Sequence, residues 1–462
     1  MAEPLLPSDL SAIQAERGPV HMHVGGALVV DGKVEREDVV SRIRERIHLI
    51  PRYRMRLEDV APLGVAYPVW EDDPDFDPDR HVRRVGVPPP GGDAELCELM
   101  GDLMSERLDR SRPLWQIVVA QGLREGRTAV IAKMHHALVD GIAAVDVGTI
   151  TLDPTPEGID LGPQAERDEE ESAAPAGTAR VEQLTRRVAA QFHLPRQLAR
   201  QAVSRALAFE PRDAASRVRS AAVTLRELAR ARPEAPATRL NAAIGRERLF
   251  ALARARLDEV KAVRRATGAT VNDVLLTAVA LMLSDYLGDD APDTAVALVP
   301  VSVREESERG ELGNRISTVF VDLPLLGTPL DRLDTISREM GEIKRSAQVR
   351  AGALIVGATG LAPPIVSSVA VRAMSGPRLF NLVVSNVPGP QQTFYLAGHP
   401  VREVFPAVPL NPRNQALSIG ILSYDGGVYF GLLADRAALP DVVDAAAGLE
   451  RALEALRGAV ES

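Results

Sequence analysis

Two short β-rich runs, Trp115-Gln-Ile-Val-Val-Ala120 and Thr128-Ala-Val-Ile-Ala-Lys-Met134, are separated only by the turn region Gly122 to Gly126. The second leads straight into His135-His136-Ala-Leu-Val-Asp140-Gly141. Residues 141–148 then read as helix-like, so the pattern predicts adjacent strands feeding a strand-to-helix connection. In α/β folds such connections carry reactive side chains on a rigid scaffold. A His-His-x-x-x-Asp-Gly run is expected far less than once by chance in a chain of this composition, although a motif alone does not make a site. An imidazole near its ordinary pKa can accept a proton and return it within one reaction. Gly141 suits backbone that must turn or approach a substrate closely.

The rest of the chain alternates similarly. Residues 27–30 read as a strand, and 37–47 and 100–108 as helices. Further on, the reading gives a long apolar helix over 270–282 capped by Thr270 or Asn272, strands at 295–303 and 382–386, and a hairpin of 418–422 with 428–433 across Asp425-Gly-Gly427. Between these stretches the character changes. Pro- and Gly-rich sequence opens at Asp153-Pro-Thr-Pro-Glu157, and the acidic run Glu166–Glu171 follows. Residues 179–232 then hold twelve arginines against four acidic residues, with Val181, Leu184, Val188 and Phe192 at helical spacing. The expected organisation is an N-terminal domain 1–154, an acidic then basic helical linker 155–237 and a C-terminal domain 238–462. The fold class is α/β with no sequence repeat.

Composition narrows the function. A net charge of -9 with 25% charged residues argues against a general nucleic-acid binder. Only four of the 54 basic residues are lysines, a chain-wide skew that makes scattered arginines uninformative. The single cysteine, Cys97, excludes an internal disulfide and a multi-cysteine zinc site, and reads as a small core residue. No basic n-region followed by an apolar h-region opens the N-terminus. The longest uncharged stretch, 351–371, is interrupted by Gly352, Gly357, Gly360 and Pro363-Pro364. It fits two core helical pieces, or interfacial lipid contact, better than one spanning helix.

His135-His136-x-x-x-Asp140-Gly141 resembles the active-site motif of the condensation-domain and chloramphenicol acetyltransferase superfamily. Pro113-Leu114-Trp115, Asn272-Asp273, Leu240-Asn241 through Arg248, Asn386-Val-Pro-Gly-Pro390, and Leu6-Pro-Ser-Asp9 with Met22-His-Val-Gly25 narrow the resemblance to the bacterial wax ester synthase/acyl-CoA:diacylglycerol acyltransferase family. The resemblance spans nearly the whole chain. It implies two chloramphenicol acetyltransferase-like domains with mixed sheets and an active-site channel at their interface. It implies His136 as general base, His135 in support, and Asp140 as a structural residue paired with an arginine, for which Arg304 is a candidate. The implied donor is a long-chain acyl-CoA and the acceptor diacylglycerol or a fatty alcohol, with no cofactor beyond the acyl-CoA substrate. A cytoplasmic protein lying against the inner face of the membrane or a lipid droplet follows from such substrates.

An oxyanion would need hydrogen-bond donors. Asn272, or Ser385 and Asn386, are alternative substrate-binding residues; helix capping for Asn272 and a rigid turn for 387–390 are the competing readings. Trp115 competes as a mere packing anchor. His21, His23, His48, His81, His193 and His399 look scattered. Joint metal ligation by His135, His136 and Asp140 is disfavoured, because adjacent residues of an extended segment point to opposite faces. A His-x-x-x-x-Asp pattern of glycerophosphate-type acyltransferases is also present but lacks a well-placed second motif. Two rivals remain: acyl transfer from a carrier-protein thioester, and a catalytically silent lipid-binding protein of the same fold.

Overall fold

The computed structural model describes residues 3–5, 7–16, 18–58, 68–138, 148, 151–158, 234–302, 316–345, 378–410 and 414–461. Asp140, Gly141, Arg304, the 351–371 stretch and most of the predicted linker lie outside them.

In chain order the first half contains β1 (Glu3–Pro4), α1 (Pro7–Ala15), β2 (His23–Val30), α2 (Arg36–Arg46), β3 (Met55–Glu58), β4 (Val69–Asp72), β5 (Val82–Gly86), α3 (Asp93–Ser105), β6 (Trp115–Gln121) and β7 (Thr128–His135). The second half contains β8 (Arg248–Arg256), α4 (Leu257–Thr267), α5 (Val271–Leu287), β9 (Thr294–Ser302), β10 (Ile316–Pro324) and α6 (Pro329–Arg345). It continues with β11 (Leu382–Pro388), β12 (Tyr395–Leu396), β13 (His399–Ala407), β14 (Leu417–Tyr424), β15 (Gly427–Asp435) and α7 (Val442–Glu461). The helix expected over 100–108 instead starts at Asp93, where Glu95 reaches back to the Gly92 amide at 2.7 Å, and ends at Ser105.

Two six-stranded mixed sheets form the body, in the orders β12-β13-β2-β7-β6-β5 and β10-β9-β11-β14-β15-β8. In the first, β5 and β6 run parallel and every other neighbouring pair is antiparallel. In the second, β11 runs parallel to both β9 and β14. The strand β7 is buried along its entire length, its apolar centre Ala129–Ala132 suiting a strand covered on both faces, with Lys133 and His135 buried beyond it. The predicted hairpin forms, with β14 and β15 joined through Asp425 and Gly426 at φ values of 44° and 80°.

The helical run Val271–Asp290, α5 with the turn after it, is apolar and long enough to cross a membrane by length and composition. Here it is a core helix, packed against α4, α6 and α7. Thr270 is its N-cap: the hydroxyl accepts from the Asp273 amide at 3.2 Å and the Asp273 carboxylate returns to the Thr270 amide at 2.9 Å.

The sheets are not independent. The strands β12 and β13, from deep in the second half, complete the first sheet, with β13 running antiparallel beside β2. Its far end crosses β14 and β15, where Gly420 and Gly431 face each other across the ladder. A Cβ at Gly431 would fall 1.8 Å from the Pro406 carbonyl oxygen, and one at Gly420 would press on the Pro406 ring at 3.1 Å. This gap lets the crossing strand touch the second sheet. Gly431→Ala is expected to cost at least about 3 kcal/mol, the upper end for overpacking. Gly458→Ala, in open space on α7, should stabilise by up to about 1 kcal/mol. Urea unfolding midpoints of the two variants check both signs.

Charge also ties the halves. Arg254 on β8 grips Asp93 at the start of α3 through two bonds of 2.7 and 2.9 Å, pairs with Glu403 on β13, and lies over the Phe405 ring at 4.8 Å. The edge strand β8 is covered by α3, whose Ser105 hydroxyl accepts from the Arg248 amide at 2.7 Å.

Candidate active site

The end of β7 is held from both sides. The His135 amide donates to the Leu114 carbonyl at 2.9 Å, and the His136 amide donates to the Met22 carbonyl on the opposite side at 2.7 Å. Leu138 then closes a turn by donating to the His135 carbonyl at 2.9 Å. The two imidazoles end in different surroundings. His135 is 1% exposed, and its Nδ1 accepts from the Ala137 amide at 3.0 Å. His136 is half-buried as a residue. Burial lowers the His136 pKa below its ordinary value, and a hydrogen bond to its own backbone carbonyl opposes that shift.

Pro113-Leu114-Trp115 is a packing anchor, and more than that. The Trp115 indole donates to the Tyr53 carbonyl at 2.7 Å and stacks on His81 at 4.3 Å, while the Leu114 carbonyl holds the His135 amide. Lys133, two residues before His135, is buried and donates to the Leu103 and Glu106 carbonyls at 2.7 and 3.1 Å. Burial pushes its pKa down to about 8, and its ammonium serves the C-terminal end of α3.

In the second half, the Asn386 amide on β11 donates to Oδ1 of Asn272 on the first turn of α5 at 3.1 Å. Thr270 already caps that helix, so the Asn272 side chain is free for this contact, and both asparagines and Ser385 stay partly exposed. The 386–390 run is only in part a turn, because Asn386, Val387 and Pro388 lie in β11 opposite Ile421, Leu422 and Ser423 of β14. Among the described residues no hydrogen bond joins the asparagine pair to His136. The Cys97 thiol is pushed up to about 12 by burial, which makes it a poor nucleophile.

Sequence reasoning missed what lies beneath His135. His21, His23 and His135 gather around Glu16: His21 and His23 stack at 5.4 Å, and His23 meets His135 edge-on at 6.3 Å. The only sequence signal was His21-x-His23 at a strand start, and the register that sets His23 opposite His135 is not local. Burial, with nearby Arg248, pushes the His21 pKa down to about 4, and burial holds that of His23 well below the usual range. Arg248 bridges this region to the second half, donating to the Pro19 carbonyl at 2.6 Å and lying 3.5 Å from Asp435. Among the described residues no three metal-ligating side chains come together in a metal-binding arrangement.

The wax ester synthase/diacylglycerol acyltransferase catalytic domain matches residues 5–275, and the C-terminal domain of the same family matches 312–457. A probable diacylglycerol O-acyltransferase of Mycobacterium tuberculosis, tgs1, is 31% identical over 95% of this chain and 91% of its own length. A putative diacylglycerol O-acyltransferase of the same organism is 35% identical over 88% and 90%. The solved wax ester synthase/diacylglycerol acyltransferase of Marinobacter aquaeolei VT8 superposes with a TM-score of 0.67 at 25% identity, covering both chains fully. The first condensation domain of the calcium-dependent antibiotic synthetase shares the fold, with a TM-score of 0.56 at 16% identity over 100% of this chain and 96% of its own. With two mixed sheets, a histidine pair at the end of a central strand and both family domains in sequence, the chain belongs to the wax ester synthase/diacylglycerol acyltransferase family and is an acyltransferase.

Proposed function

We propose that the protein moves a long-chain acyl group from acyl-CoA to the hydroxyl of diacylglycerol, giving triacylglycerol, or of a fatty alcohol, giving a wax ester, with His136 as general base. The difference between the two histidines carries this reading: His135 is sealed and its Nδ1 is occupied by the Ala137 amide, whereas His136 is only half-buried. In the proposed step, Nε2 takes the hydroxyl proton as the oxygen attacks the thioester carbonyl carbon. The tetrahedral centre collapses, the carbon–sulfur bond breaks, and the departing thiolate receives that proton. No acyl-enzyme is needed and no cofactor takes part. Asn272, Asn386 and Ser385 are the proposed substrate-binding residues, their amides and hydroxyl supplying donors for the developing oxyanion. His135 is the proposed supporting residue, and Asp140 and Gly141 complete the motif. Both substrates are greasy, which favours contact with a membrane or lipid-droplet surface, and a cytoplasmic location is proposed with it.

Purified protein given palmitoyl-CoA and dioleoylglycerol in mixed micelles should release free thiol mole for mole with triacylglycerol, and hexadecanol in parallel should give wax ester. Absence of both products, with transfer only from a carrier-bound thioester, overturns the proposal. The base works unprotonated, and its pKa lies below the ordinary 6.5. Log kcat/KM should therefore decline on the acid side along a limb whose midpoint lies below pH 6.5. A limb with its midpoint above pH 6.5 contradicts His136 as that group.

A further inference from the structure

We propose that Glu16 is a positioning residue for His136, acting through the ring of His135. This rests on the assignment of His136 as the base. Glu16 follows α1 directly, and its side chain is 7% exposed. Its carboxylate lies between two rings: Oε1 is 3.5 Å from His23 Nε2, and Oε2 is 3.5 Å from His135 Nε2. The Arg110 guanidinium grips Oε2 at 2.6 Å, which fixes the carboxylate in place.

The Ala137 amide can only donate, so His135 Nδ1 accepts and the ring proton sits on Nε2, facing Glu16. At 3.5 Å both contacts are electrostatic, since neither Nε2 makes a hydrogen bond among the described residues. Burial favours the neutral carboxyl, but contacts with His135 and then Arg110 overcome it and hold the Glu16 pKa well below the usual range. Glu16 is thus the fixed negative group that selects the His135 tautomer.

That tautomer matters one residue further on. The amides of Ala137 and Leu138 close on the ring and carbonyl of His135, so His136 is the middle residue of a turn built around its neighbour. The His136 ring is carried by this turn, so its placement follows the backbone that the turn fixes. Without the carboxylate, the buried His135 Nε2–H loses the negative charge beside it, and the proton is free to move to Nδ1. The Ala137 amide then meets a donor, and the turn opens. A misplacement of about 1 Å costs on the order of 10²-fold in rate.

The test compares Glu16→Ala and Glu16→Gln with the unaltered chain. For Glu16→Ala, kcat should fall about 10–100-fold with KM within twofold, and Glu16→Gln, which keeps a carbonyl acceptor, should recover part of that loss. Histidine-15N NMR supplies a readout independent of turnover, assigned with His135→Gln. His135 should show pyridine-type Nδ1 and pyrrole-type Nε2 in the unaltered chain, and lose that pattern in Glu16→Ala. Full kcat in both variants, or an unchanged tautomer accompanied by a lowered melting temperature, overturns the proposal by leaving Glu16 merely structural. If Glu16→Ala does not fold, Glu16→Gln decides alone: reduced kcat at unchanged melting temperature supports positioning, and unchanged kcat refutes it. Normal turnover by His136→Ala would sink the base assignment instead, while the His135 tautomer would still report what Glu16 does.

Discussion

His136→Ala is expected to lower kcat by about 10²–10⁴-fold, the range that one positioned acid–base group contributes. The KM for acyl-CoA should change little, because the lost interaction belongs to the transition state rather than to binding. Stability should barely move. The structural bond at this position is made by the backbone amide to the Met22 carbonyl, which alanine keeps, and the residue is only half-buried. His135→Ala should behave differently: it leaves the Ala137 amide unpaired in a buried site, costing about 1–3 kcal/mol as well as activity. Thiol release gives kcat and thermal unfolding gives the stability, and together they separate the two roles. A His136→Ala enzyme that turned over normally would remove the ring from the chemistry.

Asp153→Ala is expected to destabilise the protein by about 3–5 kcal/mol, the cost of stranding a buried charge. Asp153 is fully buried between Arg46, 3% exposed on its side chain, and Arg42, whose NH2 lies 3.2 Å away. Arg46 also donates to the Leu152 carbonyl at 2.8 Å. The backbone of Asp153 exchanges two bonds with Tyr395, of 2.7 and 2.8 Å, so this carboxylate fastens the end of the first half to α2 and to the crossing β12–β13 hairpin. Such a loss is a large share of the roughly 5–15 kcal/mol that holds a typical native fold. It would appear as a lower urea midpoint. A shift equivalent to less than about 1 kcal/mol would mean that water reaches the arginines and that the triad is worth no more than a surface pair.

Local signals were legible and distant ones were not. The strands ending at His135, the hairpin through Asp425-Gly-Gly427 and the helix after Thr270 depend on a few consecutive residues, and those were readable. The start of α3 at Asp93 was missed because its first turn is polar and its capping residue is a glycine. The histidine pair could be read as reactive, but not which member is open, since that depends on the Met22 and Leu114 carbonyls brought in from other strands. Glu16 lies on a different element from His135 and carries no motif. Gly420 and Gly431 look like ordinary glycines until Pro406 is placed against them. Each of these rests on pairing between segments far apart in sequence, which periodicity does not encode.

The strand lent by the second half also sets an order of events during synthesis. Until residue 407 has left the ribosome, β2 has β7 on one side and nothing on the other, so its unpaired amides and carbonyls stay exposed while most of the chain is still being made. Nascent protein is then most vulnerable to sticking to its neighbours late in translation rather than early. Stalled or truncated products lacking the crossing strand would carry that open edge permanently, and genes divided between the two halves would yield a first fragment with nowhere to hide it.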